Sequence, residues 1–151
     1  MTTVYFDMDG TIYDLYGVRG WLDKLHNEDA TAYNEGGALV NMETLANMLK
    51  RAGVRVGVIT WTAKGGRKEY NVAVRRVKRA WIAKHLPCVA EFHCVKYGTP
   101  KHWVAKDKNA ILVDDNAEVR AAWKGTTVDA SDPQKTLANL QKVLDTLPQA
   151  C

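Results

Sequence analysis

Val4-Tyr5-Phe6-Asp7-Met8-Asp9-Gly10-Thr11 opens on three apolar, strand-favouring residues and closes on two carboxylates, a glycine and a hydroxyl. Gly10 can take backbone angles closed to other residues, so the extended run ends there in a turn. Side chains two apart on a strand leave the same face, which puts Asp7 and Asp9 into one small volume. They repel one another unless something positive lies between them, and a divalent cation is the natural occupant. The stretch therefore reads as a buried strand that delivers an acidic site.

Similar runs recur along the chain. Val54–Thr60 (VRVGVIT) is a second buried strand rich in β-branched residues, Glu91–Val95 (EFHCV) a third, Ala110–Val113 (AILV) a fourth ending in Asp114 and Asp115, and Thr126–Val128 a short fifth. Helical stripes lie between them. Asn41 caps a helix with Met42, Leu45, Met48 and Leu49 on one face, and Gly53 ends it. From Lys68 to Leu86 the residues Tyr70, Val74, Val77 and Trp81 form one stripe, the basic residues fall opposite, and Pro87 stops the helix. Asn116–Trp123 suits a helix, Tyr97–Lys101 a turn, and Pro133 opens a last helix with Leu137, Leu140, Leu144 and Leu147 on one face. Strands alternating with helices predict an α/β fold: a three-layer, Rossmann-like parallel sheet of about five strands with helices on both faces.

At 151 residues the chain fits a single domain, 1–151. Residues 12–41 hold a short helix near Gly20 to Asn27 and a loop, TAYNEGGA, broken by Gly36-Gly37; this is a flap or small cap, too short for a second domain. No window approaches the roughly 18 consecutive apolar residues of a membrane span. The first strand begins too early for a signal sequence to precede it. Cys88, Cys94 and Cys151 are an odd set without a C-x-x-C pair; Cys88 and Cys94 can meet in principle, but idle thiols in a reduced, cytoplasmic setting are the expectation. His26, His85, His93 and His102 show no metal-ligand spacing.

The net charge of +4 is unevenly spread. Residues 64–84 carry eight cations (Lys64, Arg67, Lys68, Arg75, Arg76, Lys78, Arg79 and Lys84) against the single acid Glu69, and the rest of the chain is net acidic. A basic segment of this kind raises the local concentration of phosphorylated ligands.

In a parallel sheet, ligands sit beyond the carboxyl ends of the strands, where strand order reverses. Asp7 and Asp9, then Thr60, then Lys101, then Asp114 with Asp115 all fall at or just past strand ends. Carboxylates, a hydroxyl and a cation are the inventory that holds magnesium and a phosphoryl group.

In that order and on those elements, residues 4–115 resemble the haloacid dehalogenase (HAD) superfamily of phosphohydrolases. D-x-D-G-T after an apolar strand matches Asp7–Thr11, a Ser or Thr ending the next strand matches Thr60, the family's Lys is best met by Lys101, and its terminal acidic pair by Asp114-Asp115. The resemblance implies a Mg2+-dependent phosphomonoester hydrolase. Asp7 would attack phosphorus, Asp9 would serve as acid and then base while its carbonyl binds the metal, and Asp7, Asp9, Asp114 and Asp115 would form the metal set. Gly10, Thr11, Thr60, Trp61 and Lys101 would hold phosphate or substrate. Lys96 and Lys106 flank Lys101 and carry the same charge, and spacing does not choose between Asp114 and Asp115 as direct ligand. An Asp two past the nucleophile goes with phosphatases rather than dehalogenases.

The short 12–41 segment implies a small or minimal-cap type, resembling nucleotidase-like members of phage and bacteria, with an open site for a small phosphomonoester. Trp61, Tyr13 and Tyr16 are candidate base-stacking residues and favour nucleotides. The alternatives are a polynucleotide end phosphatase recruited by the basic helix 64–84, or a non-catalytic module that binds phosphate or nucleic acid there. A response-regulator phosphoacceptor domain uses a similar inventory, but its acidic pair comes first and its Lys last, the reverse of the order here. Oligomeric state is not legible.

Overall fold

The structure is a computed structural model and describes residues 1–148; Cys151 lies outside the described residues. Strands β1 (Thr3–Phe6), β2 (Arg55–Trp61), β3 (Glu91–Val95), β4 (Ile111–Asp114) and β5 (Thr127–Asp129) form one sheet in the order β3-β2-β1-β4-β5, every pair parallel. Val4 lies beside Val56 on one flank and Ile111 on the other. β1 is thus central and buried on both faces, which is why its residues are apolar without alternation.

Successive residues feed two separate cores. Val4, Phe6, Val56 and Val58 pack on the face covered by α2 (Met42–Ala52), α3 (Lys68–His85) and α6 (Thr136–Leu144), while Tyr5, Ile59 and Leu112 meet Trp123 and Val119 beside α5 (Ala117–Ala122) on the other. The Asn41 side chain accepts the Thr44 amide at the start of α2, and Gly53, at φ 65°, closes it. Cys88 and Cys94 are free thiols. Among the described residues no helix is long and apolar enough to cross a membrane.

Three local expectations change. Pro133 does not open α6, which starts at Thr136; Asp132 first makes a turn, its carboxylate accepting the Gln134 amide and its carbonyl the Lys135 amide. The loop at TAYNEGGA contains a 3-10 turn, Ala30–Tyr33, capped by Asp29; four residues are too few to carry a periodic signal. Most consequentially, Lys78 does not lie on the solvated face of α3. It is fully buried, in the stripe that holds Tyr70, Val74, Trp81 and Ile82.

The glycine within β2 has a packing reason. A Cβ at Gly57 would stand 2.6 Å from the Tyr5 ring, which crosses this position so that its hydroxyl can donate to Glu91 Oε1 at 2.5 Å. Gly57→Ala is therefore expected to cost about 1–3 kcal/mol by overpacking. Urea denaturation would register this as a lower midpoint, and an unchanged midpoint would show that the ring is free to move.

Residues 12–41 fold over the carboxyl end of the sheet on the α3 side. Helix α1 (Trp21–His26) packs on the 3-10 turn, and that turn is fastened by the Tyr13 hydroxyl, which donates to the Ala32 carbonyl at 2.6 Å and accepts the Gly36 amide at 2.8 Å, while the Tyr13 ring meets Trp81 of α3 edge-on. Glu28 adds a second tie to α3, taking both the backbone amide and the guanidinium of Arg67.

Candidate active site

The winding reverses between β1 and β4, so the crevice at their carboxyl ends is the switch point of the sheet. Asp7 follows β1 directly and Asp114 ends β4. Between them comes Lys101, the first residue of the short helix α4 (Lys101–Val104), whose ammonium donates to Asp7 Oδ1 at 2.8 Å and to Asp114 Oδ2 at 2.7 Å. Lys96 and Lys106 are exposed and make no such contact. From the opposite side Lys78 uses all three of its N–H bonds, on Asp9 Oδ2 (2.7 Å), Thr60 Oγ1 (2.8 Å) and the Trp61 carbonyl (2.7 Å), with the Tyr33 ring 4.8 Å away. A lysine side chain carries three donors, so none is left for a ligand.

The two carboxylates of the first strand end up in opposite electrostatic states. Burial pushes the Asp7 carboxyl up, but the charge and hydrogen bond of Lys101, with help from Asp115 and Lys78, more than reverse this and hold it below the ordinary range. For Asp9 burial outweighs Lys78, and its carboxyl sits above that range. Burial and the Asp7 charge raise Asp114 against the pull of Lys101, and the same two causes bring Asp115 up to about 7. Burial alone would lower the Lys101 ammonium; Asp7 and Asp114 raise it instead.

Several expected phosphate contacts fall elsewhere. Gly10 and Thr11 spend their amides in the turn, on the Tyr13 and Met8 carbonyls. Gly10 has φ 80°, and a Cβ there would come within 2.6 Å of Asp115 Oδ2, so glycine is demanded by backbone angle and by the approach of the second acidic residue. The Thr11 hydroxyl is a buried brace: its Oγ1 lies 3.1 Å from both Asp7 Oδ2 and Asp115 Oδ1 and accepts the Asp115 amide. The strand runs one residue past Thr60, to Trp61, and the Thr60 hydroxyl is turned to Lys78 and does not line the cleft. Two residues on, Thr62 does line it, and its buried hydroxyl has no hydrogen-bond partner. The reason is where the strand stops: Thr60, inside β2, faces the α3 side, and Thr62, which the pleat would place on that same face, lies beyond the end of the strand.

The cleft encloses about 300 Å³. Asp7, Asp9, Lys101, Asp114 and Asp115 line its floor. Its walls carry two aromatic pairs: Tyr16 and Trp21 from the 12–41 segment, edge to face at 5.0 Å, and Trp61 with Tyr97, also 5.0 Å apart. The Trp61 indole is fixed by donating to the Thr99 carbonyl, and Lys101 Nζ lies 5.2 Å from its ring centre. Tyr13 is not available to stack on a ligand, being fully buried and bonded at its hydroxyl.

The residues present suit a divalent cation. Asp7, Asp114 and Asp115 each offer an oxygen within 4.8 Å of the others. Four carboxylates around the floor face only two ammonium groups, Lys78 and Lys101, which leaves an excess of negative charge, and hard oxygen donors are what magnesium takes.

A parallel α/β sheet with an acid-and-lysine cleft at its switch point defines the class of protein to which the fold corresponds. Among the solved structures it resembles is the D,D-heptose 1,7-bisphosphate phosphatase from Burkholderia thailandensis, at TM-score 0.54 and 20% sequence identity, covering 99% of this chain and 88% of that one. At that identity the likeness carries the fold. No protein-family model and no curated protein sequence matches the chain.

Proposed function

We propose that the chain is a HAD-type phosphomonoester hydrolase that works through an aspartyl-phosphate on Asp7. The observation that carries this reading is the convergence of Asp7, Asp9, Lys101, Asp114 and Asp115 on the floor of one cleft at the carboxyl ends of β1 and β4. The opposite protonation tendencies of Asp7 and Asp9 support it, because two carboxylates pushed apart in this way supply a nucleophile and an acid from one strand end.

Asp7, ionised and held by Lys101, attacks phosphorus; the bond from phosphorus to the leaving oxygen breaks as the aspartyl-phosphate bond forms. Asp9 gives its proton to the leaving oxygen, then takes one from the water that attacks phosphorus, and Asp7 is released with inorganic phosphate. Lys101 offsets the charge that nucleophile and phosphoryl group share. The open Thr62 hydroxyl takes the phosphate-holding role expected of Thr60, and Thr60 instead braces Lys78. Magnesium held by Asp7, Asp114 and Asp115 would add the positive charge that lets an anionic carboxylate meet an anionic phosphoryl group.

Residues 12–41 act as a small cap on a single domain, and the two aromatic pairs at the walls favour a substrate with a planar ring, a nucleotide above a sugar phosphate. Free thiols fit a cytoplasmic setting. The test is phosphate release from a panel of nucleotides, sugar phosphates and p-nitrophenyl phosphate, with magnesium and with chelator, and acid quenching to trap a phosphoryl adduct on the peptide bearing Asp7. Turnover that stops in chelator and an adduct on that peptide are expected. Binding without any turnover would make the chain a phosphate-binding module, and sugar phosphates cleaved far faster than nucleotides would overturn the nucleotide preference.

A further inference from the structure

We propose that a basic groove beside the cleft takes the sugar-phosphate backbone of a single-stranded polynucleotide whose phosphorylated end enters the cleft. This rests on the phosphohydrolase reading for the end it places at Asp7. The groove, about 330 Å³, lies between α3 and β3, the edge strand of the sheet, and is lined by Arg75, Arg76, Arg79, Phe92 and Val95 among others.

Three guanidinium groups converge there without acidic partners. Arg55, Arg67 and Arg120 each pair with a carboxylate, whereas among the described residues none lies within 4.0 Å of Arg75, Arg76 or Arg79. Two of the three are aimed by the sheet edge: Arg75 Nε donates to the Cys94 carbonyl at 3.0 Å, and the Arg79 guanidinium lies 5.0 Å from the centre of the Phe92 ring. Gathering like charges in a concavity is unfavourable by itself and becomes favourable when a polyanion fills it.

Groove and cleft adjoin. Thr62 lines the cleft, Val95 lines the groove, and the Thr62 amide donates to the Val95 carbonyl at 2.8 Å. Tyr97 stands on the cleft side of this junction, 45% exposed, paired with Trp61 and with Lys64 Nζ 6.0 Å from its ring centre. An exposed aromatic face followed by a row of cations is the arrangement that binds single strands, the ring stacking on a base and the cations following the phosphates. An acidic polypeptide has no use for the aromatic face and no phosphate for the cleft.

The test compares p-nitrophenyl phosphate, thymidine monophosphate and an oligothymidylate of roughly 8 nucleotides bearing a terminal phosphate, a length within one single-strand site. The oligonucleotide should show the highest kcat/KM of the two nucleotide substrates. With about three phosphate contacts it should lose roughly 20-fold between about 50 and 200 mM salt, while p-nitrophenyl phosphate changes little. Replacing Arg75, Arg76 and Arg79 together by Ser should cut the oligonucleotide value by about 10-fold or more and leave p-nitrophenyl phosphate unchanged. The triple Lys replacement keeps the charge and loses the bond to Cys94, so retention of the salt dependence there separates charge from folding.

Equal values for the two nucleotide substrates, or a triple Ser variant that still prefers the oligonucleotide, would overturn the inference. If the chain cleaves no phosphomonoester, the catalytic reading fails on its own, and the groove is judged by fluorescence anisotropy of the labelled oligonucleotide in chelator. Salt-sensitive binding lost in the triple Ser variant upholds the groove; no binding, or displacement by polyglutamate as readily as by unlabelled oligonucleotide, rejects it.

Discussion

Asp7→Asn is expected to remove turnover by roughly 10⁴-fold or more while leaving the protein folded. The amide is nearly the shape of the carboxylate and keeps an oxygen for the Lys101 ammonium, but it cannot form an aspartyl-phosphate. Stability should fall only in part. Lys101 holds the Asp7 carboxyl below its ordinary range, so the ionised form stabilises the fold near neutral pH, and this contribution goes with the charge, offset by the repulsion that Asp114 and Asp115 no longer feel. Thermal melting in metal-free buffer should therefore show a Tm lowered near neutral pH, with the gap to the unaltered chain closing as pH falls below the ordinary carboxylate range. Full activity in the Asn variant would remove Asp7 as nucleophile; inactivity with a collapsed melting transition would reduce the result to misfolding.

Lys78→Met carries the second large effect, from a residue that touches no substrate. Met matches the length of the stem but leaves Asp9 Oδ2, Thr60 Oγ1 and the Trp61 carbonyl without their shared donor. As a positioning residue for the acid, Lys78 should matter most where the leaving oxygen needs a proton. We expect kcat to fall about 10²-fold on an alkyl phosphate and much less on p-nitrophenyl phosphate, with KM little changed. An equal loss on both substrates would show that Lys78 supports the fold alone.

The same variant has a pH signature. Burial already lifts the Asp9 carboxyl above its ordinary range, and the Lys78 charge is what opposes the rise. With that charge gone the folded-state value climbs further. A carboxyl raised on folding binds more protons in the native than in the unfolded chain, so stability falls as pH rises. Relative to the unaltered protein, Lys78→Met should be least impaired near about pH 4 and progressively worse toward neutrality. A difference in melting temperature that does not vary with pH would contradict this account.

Much of this architecture is legible in the sequence because it is written in short-range patterns. Apolar runs set β1 to β5, Asn41 and Gly53 bound α2, and the position of acids and Lys101 just past strand ends already implies one cleft in a parallel sheet. What resists reading depends on orientation. Lys78 sits among cations of its own segment, and only its position four residues after Val74, on the apolar stripe, hints that it faces inward. Thr60 is the hydroxyl that the sequence points to, and that the strand stops at Trp61, leaving Thr62 free to face the cleft, is not written in any periodic pattern. Tyr13 and Tyr16 look alike as aromatic residues near the acids; one is consumed in fastening the segment to α3, and the other is left at the rim.

Placing β1, which delivers Asp7, in the middle of the sheet has a cost during synthesis. The brace from Thr11 to Asp115 joins residues 104 apart in sequence, and β1 gains its second neighbour only when β4 arrives. A polypeptide emerging from the ribosome thus carries its first acids, unmatched and hydrated, through most of translation. The acidic cleft is thus completed late, when β4 docks and brings Asp114 to Lys101 and Asp7.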